Sequence, residues 1–534
     1  MTSASKLTTA PVLAFLAVLL GAIVYVNSLG NPFVFDDTTE ILENPSITQP
    51  AQIGGLIRYS PTRPVVNLSY ALDYASSGLE PFGYHLTNLL LHLINIALFF
   101  ALARAYARDR GSSDDLLPFT AAALFAVHPL LTEAVGYISS RSELLSGAFI
   151  LSSLYAFRLG LLRGRLISLA LGVTLFALAG ASKETAAMLP FVLLAYDRWV
   201  LGERGAWTTR QRFWWVHAPL IALVLAGGAF RILRYVTVEH PGSATINWTN
   251  ALLDLHVLTL YVSSFVAPIS LSLVHDVTPV TSVFDTRVMV GAMVLAALLW
   301  LGVSWRRRGP LITFGIVWFL LLLIPSSALI VVADKGQPMA EHRVYVASCG
   351  LFLAVAAAWV HLVQFLTPGV RRAIAIGAVI VAIVGLGTLT VARNNVWADP
   401  VRLWEDAARQ APRTFMAQYG VGESYRAAGD CDAAIPAYQR AIRLRPMLED
   451  GYLGLAECLI VNERPDDAMQ VFRAAVQRAS TAVKSRLNLA SFEAERGNAG
   501  EALRLCREAL TVAPNDRNAA ACIQRNAAAI SSAQ

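Results

Sequence analysis

Charged residues are scarce in this sequence: Asp, Glu, Lys and Arg together account for 15% of its 534 residues. Hydrophobic residues make up 55% of the chain, and the mean hydropathy is +0.52. This composition excludes an ordinary soluble protein and indicates a polytopic membrane protein. The net charge of +6 does not indicate nucleic-acid binding, because much of the Arg lies in short loops between apolar segments, where it sets membrane orientation.

Cysteine is also rare, and a signal-peptide cleavage site is missing. The five cysteines are at positions 349, 431, 458, 506 and 522. No two of them have the Cys-x-x-Cys spacing typical of zinc sites, so the cysteines predict no zinc site, and they indicate no compartment. No small-residue cleavage site follows the first apolar segment, 11–29, which we therefore predict to be a retained membrane span.

Eleven apolar segments are predicted to span the membrane. They lie at 11–29, 86–103, 116–135, 143–162, 166–181, 185–197, 214–233, 287–304, 311–332, 344–362 and 373–392. Segments 166–181 and 185–197 are shorter than the roughly 20 residues that a straight helix needs, so they are expected to be tilted or broken. Every second connection is short and rich in Arg, which places the N terminus inside and the C terminus outside.

Two outer connections are long, at 30–85 and 235–286. The second contains the apolar segment 251–274, which we predict to lie at the membrane surface. Counting it as a span would place Arg306–Arg308 outside and break the alternation of Arg-rich loops.

A 34-residue period begins after Arg393. Large residues and alanines recur at this interval in the columns Trp404, Tyr438, Phe472, Cys506 and Ala407, Ala441, Ala475, Ala509. This period, with small residues at helix crossings, is typical of tetratricopeptide repeats. We predict half a unit at 397–414, full units at 415–448, 449–482 and 483–516, and a capping helix at 517–530. Cys506, in a packing column, is expected to be a core residue.

An acidic stretch, residues 33–44, follows the first predicted span and is called the acidic loop below. Asp36 and Asp37 stand where that helix would emerge into water. Such a pair before Thr often only caps a helix. The functional interpretation is that one carboxylate acts as a general base on an acceptor hydroxyl, or holds a cation.

Polar residues also gather at other predicted outer helix ends. His85, Asn88 and His92 share one helical face, where they would either bond within the bundle or face a cavity. Four further clusters are His128 with Glu133, Arg141 with Glu143, Lys183 with Glu184, and Glu341 with Arg343. A lone pair would ordinarily be structural, but together they predict an outward-facing polar cavity. The cations expected to bind a donor phosphate there are Arg63, Arg141, Lys183 and Arg343.

Six motifs, in order, resemble those of a known family. They are Phe-Asp-Asp with a later Asn-Pro (35–45), Arg-Pro-x2-Asn-Leu-Ser (63–69), Tyr-His-x2-Asn-x3-His (84–92), Leu-Phe-Ala-Val-His-Pro to Ser-Arg-x-Glu-Leu (124–144), Ser-Lys-Glu-Thr (182–185) and Glu-His-Arg-Val-Tyr (341–345). With repeats behind them, the chain resembles the transmembrane and tetratricopeptide repeat-containing O-mannosyltransferases and their bacterial relatives. The resemblance implies a GT-C glycosyltransferase with a polyprenyl-phosphate donor and a catalytic Asp at Asp36 or Asp37. Where the family has Glu-Arg, this chain has Glu341-His342-Arg343, which leaves the role of Arg343 open.

We therefore predict an all-α chain, with a GT-C-like membrane bundle at 1–396 and an extracytoplasmic tetratricopeptide-repeat α-solenoid at 397–534. The predicted activity is inverting transfer of a sugar, expected to be mannose, from a polyprenyl-phosphate donor to a hydroxyl of an extracytoplasmic protein. No cofactor is assigned beyond that donor, and a divalent cation stays open. The expected partners are the donor, a protein held by the repeats and the lipid bilayer, in a bacterial inner membrane and without nucleic acid. The alternatives are transfer to a glycolipid or surface polysaccharide, and a non-catalytic membrane-anchored repeat scaffold.

Overall fold

The structure is a computed structural model that describes residues 9–234, 237, 248–333 and 337–533. The described residues form helices and connecting turns without any strand, which confirms the predicted all-α fold. The chain divides into two compact units: Met1–Leu271 with Val277–Asp399, and Ser272–Asp276 with Pro400–Gln534. The boundary predicted after residue 396 lies just ahead of the division after Asp399.

Hydrophobic helices make up most of the first unit. Among its described residues they are α1 (Thr9–Tyr25), α2 (Ile53–Tyr59), α3 (Pro64–Ser77), α4 (Pro81–Asp109), α5 (Leu116–Val127), α6 (Thr132–Gly136), α7 (Arg141–Arg163), α8 (Leu166–Gly180), α9 (Leu189–Tyr196), α10 (Thr209–Arg212), α11 (Ala218–Arg234), α12 (Trp248–Val266), α13 (Thr286–Trp305), α14 (Pro310–Ala333), α15 (Tyr345–Val363) and α16 (Pro368–Trp397). Proline occupies the first turn of α3, α4 and α9, where its fixed φ suits the helix and no N–H is needed.

Several helical segments are long enough to cross a membrane. In the part of the chain that the structure describes there are eight, or nine if the bent pair α5 and Pro129–Gly136 is one span. The eight are Thr9–Ser28, Pro81–Asp109, Ile138–Arg163, Thr209–Arg234, Thr249–Val266, Thr286–Trp305, Glu341–Val363 and Gly369–Trp397. These apolar segments indicate a membrane protein.

Among the described residues, fewer helices are long and apolar enough to cross a membrane than the eleven predicted. α8 is shorter than a membrane span, whereas the predicted span 311–332 lies within the 24-residue helix α14. The predicted segment 185–197 is divided between a 3₁₀ turn, Glu184–Met188, and the eight-residue α9. The division occurs at Pro190, which lacks the N–H that one continuous helix would require.

The segment 251–274 is the second difference. It was expected at the membrane surface, but its helix, α12, is long and apolar enough to cross a membrane. Pro268 falls beyond the end of α12, so it limits the length of the helix and does not weaken its interior. Residues 238–247 of the connection before it lie outside the described residues. The side of the membrane on which each loop lies stays a prediction.

Small residues let two of the apolar helices approach closely. α14 and α15 cross at Gly315 and Gly350, where a Cβ atom on either residue would collide with the carbonyl oxygen of the other. Glycine contacts of this kind support helix pairs in a membrane, where lipid provides no hydrophobic drive for association. The indole N–H of Trp318 donates to the Val346 carbonyl (3.0 Å) across the same pair. These contacts fix the start of α15, which carries part of the candidate site.

Buried ion pairs hold the opposite end of the bundle. Arg158 of α7 contacts both carboxylate oxygens of Asp109 in α4 (2.5 and 2.6 Å), and Tyr196 donates to the same carboxylate (2.8 Å). Arg212 pairs with Asp197 (2.9 Å) nearby in the chain. Because α4 and α7 are fixed here, their other ends are held in register for the site.

The second unit consists of paired helices that match the predicted repeats. Among its described residues they are α17 (Pro400–Gln410), α18 (Phe415–Ala427), α19 (Cys431–Leu444), α20 (Asp450–Val461), α21 (Pro465–Arg478), α22 (Val483–Glu495), α23 (Ala499–Val512) and α24 (Arg517–Ala533). Each predicted full unit contains one pair. The two columns of large residues and alanines are buried, as the period requires.

Cys506 differs from its predicted role as a plain core residue. It is buried in its packing column, but it also forms a disulfide with Cys522, with Cα atoms 5.7 Å apart. The bond joins α23 to α24. The 34-residue period predicts the burial of one partner and carries no information about the pairing, since Cys522 lies outside the column.

Candidate functional site

Asp37 anchors the acidic loop. Its carboxylate is fully buried and accepts three hydrogen bonds. Val34 N–H donates to Oδ2 (3.0 Å), while the N–H and hydroxyl of Ser139 donate to Oδ1 (2.8 and 2.6 Å). These bonds tie the loop after α1 to the turn that precedes α7. Burial raises the pKa of Asp37 to about 7, against the opposing effect of the three donors.

Asp36, the adjacent residue, has an exposed side chain. Its backbone N–H donates to the Tyr137 hydroxyl (3.0 Å), and the same hydroxyl is hydrogen-bonded to its carboxylate. Partial desolvation raises the pKa of Asp36 above its ordinary value, while Tyr137 and the nearby His342 favour the ionised form. The residue before it, Phe35, has φ +53°, a conformation that is unfavourable for a residue with a Cβ. Of the two candidate aspartates, Asp36 alone can reach a solute.

Two asparagines of the sequence motifs hold the far end of the acidic loop. The Asn44 amide donates to Asn67 Oδ1 (2.9 Å) and to the carbonyl of Glu40 (2.9 Å). The Asn67 amide in turn donates to the Leu56 carbonyl (2.9 Å). The loop is thereby fixed to α2 and α3 as well as to the turn before α7, so Asp36 stands on a restrained backbone.

Tyr137 and His342 belong to the site although the sequence did not single them out. The Tyr137 ring stacks on Trp397 at the end of α16, with centroids 5.9 Å apart. His342 contacts the buried Glu133 twice, through its backbone N–H (3.1 Å) and its ring Nδ1 (2.7 Å). Tyr137 occupies an unspecified position in the 124–144 motif. For His342, its insertion between Glu341 and Arg343 was the feature of the sequence that could have indicated a role in the site.

Arg63 is a half-exposed cation close to the acidic loop. Its Nη2 atom lies 3.2 and 3.4 Å from the two carboxylate oxygens of Glu184, and the two side chains are 41% and 40% exposed. It also interacts electrostatically with Glu40 of the loop and with Glu143. Arg63 therefore joins the loop to the Glu184–Met188 turn.

Arg343 is the second cation with an accessible edge. It lies in the 3₁₀ turn Glu341–Val344 before α15 and is half-buried, whereas Glu341 is buried. Its Nη1 atom donates to the Gln337 carbonyl (2.9 Å). It also lies within electrostatic range of Tyr261.

Arg141 has a different environment from the one predicted. Its guanidinium is fully buried, 2.5 Å from Asp73, and it donates to Asn88 Oδ1 (2.8 Å) and the Tyr84 carbonyl (2.9 Å). It also lies over the Tyr70 ring, 4.7 Å from the centroid. With its edges occupied by protein groups, Arg141 does not fit the predicted phosphate-binding role.

Lys183 is likewise held in a buried pair. Its Nζ atom lies 2.6 Å from Glu143 Oε1, and neither side chain is more than 4% exposed. The Lys183 ammonium neutralises the buried Glu143 carboxylate, and breaking such a buried pair to bind a phosphate would leave Glu143 as an unpaired charge. The prediction that Lys183 binds phosphate is therefore not supported by its position.

The predicted stripe on α4 lies inside the bundle. His85, Asn88 and His92 are all buried, as one helical face requires. Asn88 binds Arg141, and His92 Nδ1 is 2.8 Å from the Tyr345 hydroxyl. Asn88 and His92 thus follow the first of the two interpretations, bonding within the bundle.

His128 has a structural environment too. Its Nδ1 accepts from Leu130 N–H (3.2 Å), and its Nε2 lies 3.0 Å from the Phe265 carbonyl. The ring stacks on Phe265 at a centroid distance of 5.3 Å. It therefore links the bend after α5 to the end of α12.

The described residues hold no group of three or more His, Cys, Asp or Glu that could bind a metal ion. What the site offers is the exposed carboxylate of Asp36 together with two partly exposed arginines, Arg63 and Arg343.

Fold and site together define a membrane protein with a polar site at one end of its helices and a second unit of tetratricopeptide repeats. Residues 386–446 and 422–483 match the family described as tetratricopeptide repeat. "Protein O-mannosyl-transferase F38B6.6" of Caenorhabditis elegans is 24% identical over 456 residues, 80% of this chain and 62% of that protein. Human "Protein O-mannosyl-transferase TMTC1" is 24% identical over 510 residues, 80% and 55% of the two chains. The Drosophila melanogaster protein "Protein O-mannosyl-transferase Tmtc1" is 34% identical over 180 residues, 31% and 20%.

The resemblance predicted from the motifs is confirmed: over 80% of its length this chain is similar to proteins named protein O-mannosyl-transferases. It spans less than two thirds of the length of each of these relatives.

Proposed function

We propose that this protein is a membrane glycosyltransferase of the GT-C type that moves mannose from a polyprenyl-phosphate donor to a hydroxyl of an extracytoplasmic protein. The observation that carries the proposal is the exposed Asp36 carboxylate, held by Tyr137 beside a neighbour that anchors the loop. The similarity to proteins named O-mannosyl-transferases supports the choice of sugar and acceptor.

Asp36 is the proposed general base. It takes the proton of the acceptor hydroxyl as the hydroxyl oxygen attacks the anomeric carbon. The bond from that carbon to the phosphate oxygen breaks, and its electron pair leaves with the polyprenyl phosphate. A single displacement from the opposite face inverts the anomeric configuration. The restrained loop lowers the cost of orienting the base.

Arg63 and Arg343 are the proposed partners of the departing phosphate. Both have partly exposed guanidinium groups, and such fixed cations stabilise negative charge where it develops in the transition state. Arg141 and Lys183 are assigned a positioning role, because each holds a buried carboxylate that connects the helices around the site.

An apolar cavity supports a lipid-linked donor. Its volume is about 580 Å³, and it lies between α12, α13 and α14 with mostly aliphatic walls. Tyr261 lines it and donates to the Ala340 carbonyl (3.0 Å), immediately before the turn that carries Arg343. A polyprenyl tail in this cavity would place its phosphate at the Arg343 end.

The repeat unit is the proposed binding surface for a protein acceptor or partner, since stacked helix pairs form extended concave surfaces. We place the repeats on the extracytoplasmic side of a bacterial inner membrane, because Arg371 and Arg372 precede the last apolar segment before the repeats and positive charge favours the inner side.

Glycoproteomics of a deletion strain tests the function. The strain should lose O-mannosylated peptides from its envelope proteins, regain them with the wild-type gene, and not regain them with Asp36→Asn. Glycolipids and surface polysaccharides are compared in the same strains. If mannose were lost only from glycolipids or surface polysaccharides, the acceptor would be one of these molecules and not a protein. If no glycan changed, the non-catalytic scaffold would be the remaining alternative.

Replacing Tyr137 by Phe is expected to move the acidic limb of the kcat/KM profile to higher pH. The Tyr137 hydroxyl favours the Asp36 carboxylate, so its removal raises the pKa of Asp36 and leaves less ionised base at a given acidic pH. The measurement is the pH profile of mannosyl transfer by the purified proteins. Tyr59→Phe is the matched control, because the Tyr59 hydroxyl reaches the acidic loop at the Thr39 carbonyl (3.4 Å) instead. An unmoved limb would contradict the assignment.

A further inference from the structure

Four of the five cysteines lie in the repeat unit, and they form two pairs. Cys506 of α23 is bonded to Cys522 of α24. Cys431, the first residue of α19, and Cys458 of α20 are both buried in one hydrophobic cluster, and their thiols are hydrogen-bonded to each other. In each pair, the second helix of one repeat is joined to the first helix of the next unit.

We propose that Cys431 and Cys458 are a second disulfide site, so that the repeat unit is cross-linked at two of its junctions when it is fully oxidised. The two thiols are hydrogen-bonded to each other across two packed helices, and a disulfide requires such proximity of its two sulfur atoms. The existing Cys506–Cys522 bond belongs to the same unit and therefore to the same compartment, and a disulfide persists only where the surroundings are oxidising.

The alternative is that Cys431 and Cys458 stay reduced and only fill space between α19 and α20. Buried Cys commonly does so. Two features favour the disulfide. Like Cys506 and Cys522, the two cysteines lie on consecutive helices that belong to successive repeat units. A bond between them would also close a loop that contains most of α19 and α20. Closing such a loop restricts the unfolded chain and so stabilises the repeat.

The chemistry requires a disulfide oxidant. One cysteine thiolate attacks the disulfide of a thiol oxidoreductase, forming a mixed disulfide and releasing one oxidant thiol. The second thiolate then displaces the other oxidant sulfur. Two protons leave the cysteines, two electrons pass to the oxidant, and its disulfide becomes a dithiol. Because Cys458 has no exposed surface, the exchange takes place as the repeats fold.

Differential alkylation of the full-length protein tests the proposal. Protein from membranes is denatured in iodoacetamide without reductant, then reduced and labelled with N-ethylmaleimide before mass spectrometry. Cys431 and Cys458 are expected to carry the second label and to appear as one linked peptide pair in the unreduced digest. Cys349, buried alone in α15, is the internal thiol standard and should carry the first label.

The decisive contrary result is the first label on Cys431 and Cys458 while Cys506 and Cys522 carry the second. First label on all four would overturn the proposal as well. A Cys431→Ala variant checks the pairing: Cys458 should then take the first label while Cys506–Cys522 stays linked. Continued protection of Cys458 in that variant would show a different partner. None of these outcomes depends on the proposed transferase activity.

Discussion

Asp36→Asn should lower kcat for mannosyl transfer by about 10²–10⁴-fold, the usual contribution of a general base. The amide keeps the size of the side chain and its place beside Tyr137 but cannot take the proton from the acceptor. Because Asp36 is exposed, the variant should fold as the wild type does. The measurement is single-turnover transfer by the purified full chain, with polyprenyl-phosphate mannose and a Ser/Thr peptide.

Two variants of the same loop serve as controls. Glu43→Gln removes an exposed carboxylate seven residues away and should leave kcat unchanged. Asp37→Asn should act on folding, since an amide cannot accept both from Ser139 and from Val34 as the carboxylate does. If Asp37→Asn were folded but inactive and Asp36→Asn active, the roles of the two aspartates would be reversed.

Arg141→Met should produce the largest loss of stability, about 3–5 kcal/mol, because it leaves Asp73 as an unpaired charge inside the bundle. Methionine fills a similar volume, so the loss reports the charge more than a cavity. Thermal unfolding of the detergent-solubilised protein measures the effect. Combining the change with Asp73→Asn should restore part of the loss, since the stranded charge is then removed as well.

Arg63→Met is the matched control for Arg141→Met. It removes a guanidinium from a pair that is two-fifths exposed, and such pairs contribute little to stability. We expect an unfolding temperature close to that of the wild type but impaired use of the polyprenyl-phosphate donor. A stable Arg141→Met protein with only a donor-binding defect would restore the phosphate-binding role predicted from the sequence.

Features that repeat along the chain were predictable. The 34-residue period predicted the repeat pairs, and runs of apolar residues predicted the helices of the first unit. The number of spans was less accessible, because apolar length does not show where a helix bends. The 57° bend between α5 and the following turn and the break at Pro190 depend on local backbone geometry.

The site residues were found by sequence but could not be ranked by it. Asp36 and Asp37 are identical and adjacent, and what separates them is the contact of Asp37 with Ser139, 102 positions later. Tyr137 was missed because it occupies an unspecified position of the 124–144 motif. Its role depends on meeting the acidic loop in space.

Sequence alone therefore determined the helical class, the repeats, the membrane character and the family resemblance of this protein, because each follows from local composition, periodicity or ordered motifs. Tertiary structure alone decided which polar groups are buried and which meet solvent. The tertiary structure buries Arg141 and Lys183 in pairs with carboxylates, whereas it leaves Arg63 and Arg343 partly exposed. The physical reason is that burial of a charge is set by partners far away in the chain, and no local pattern records them.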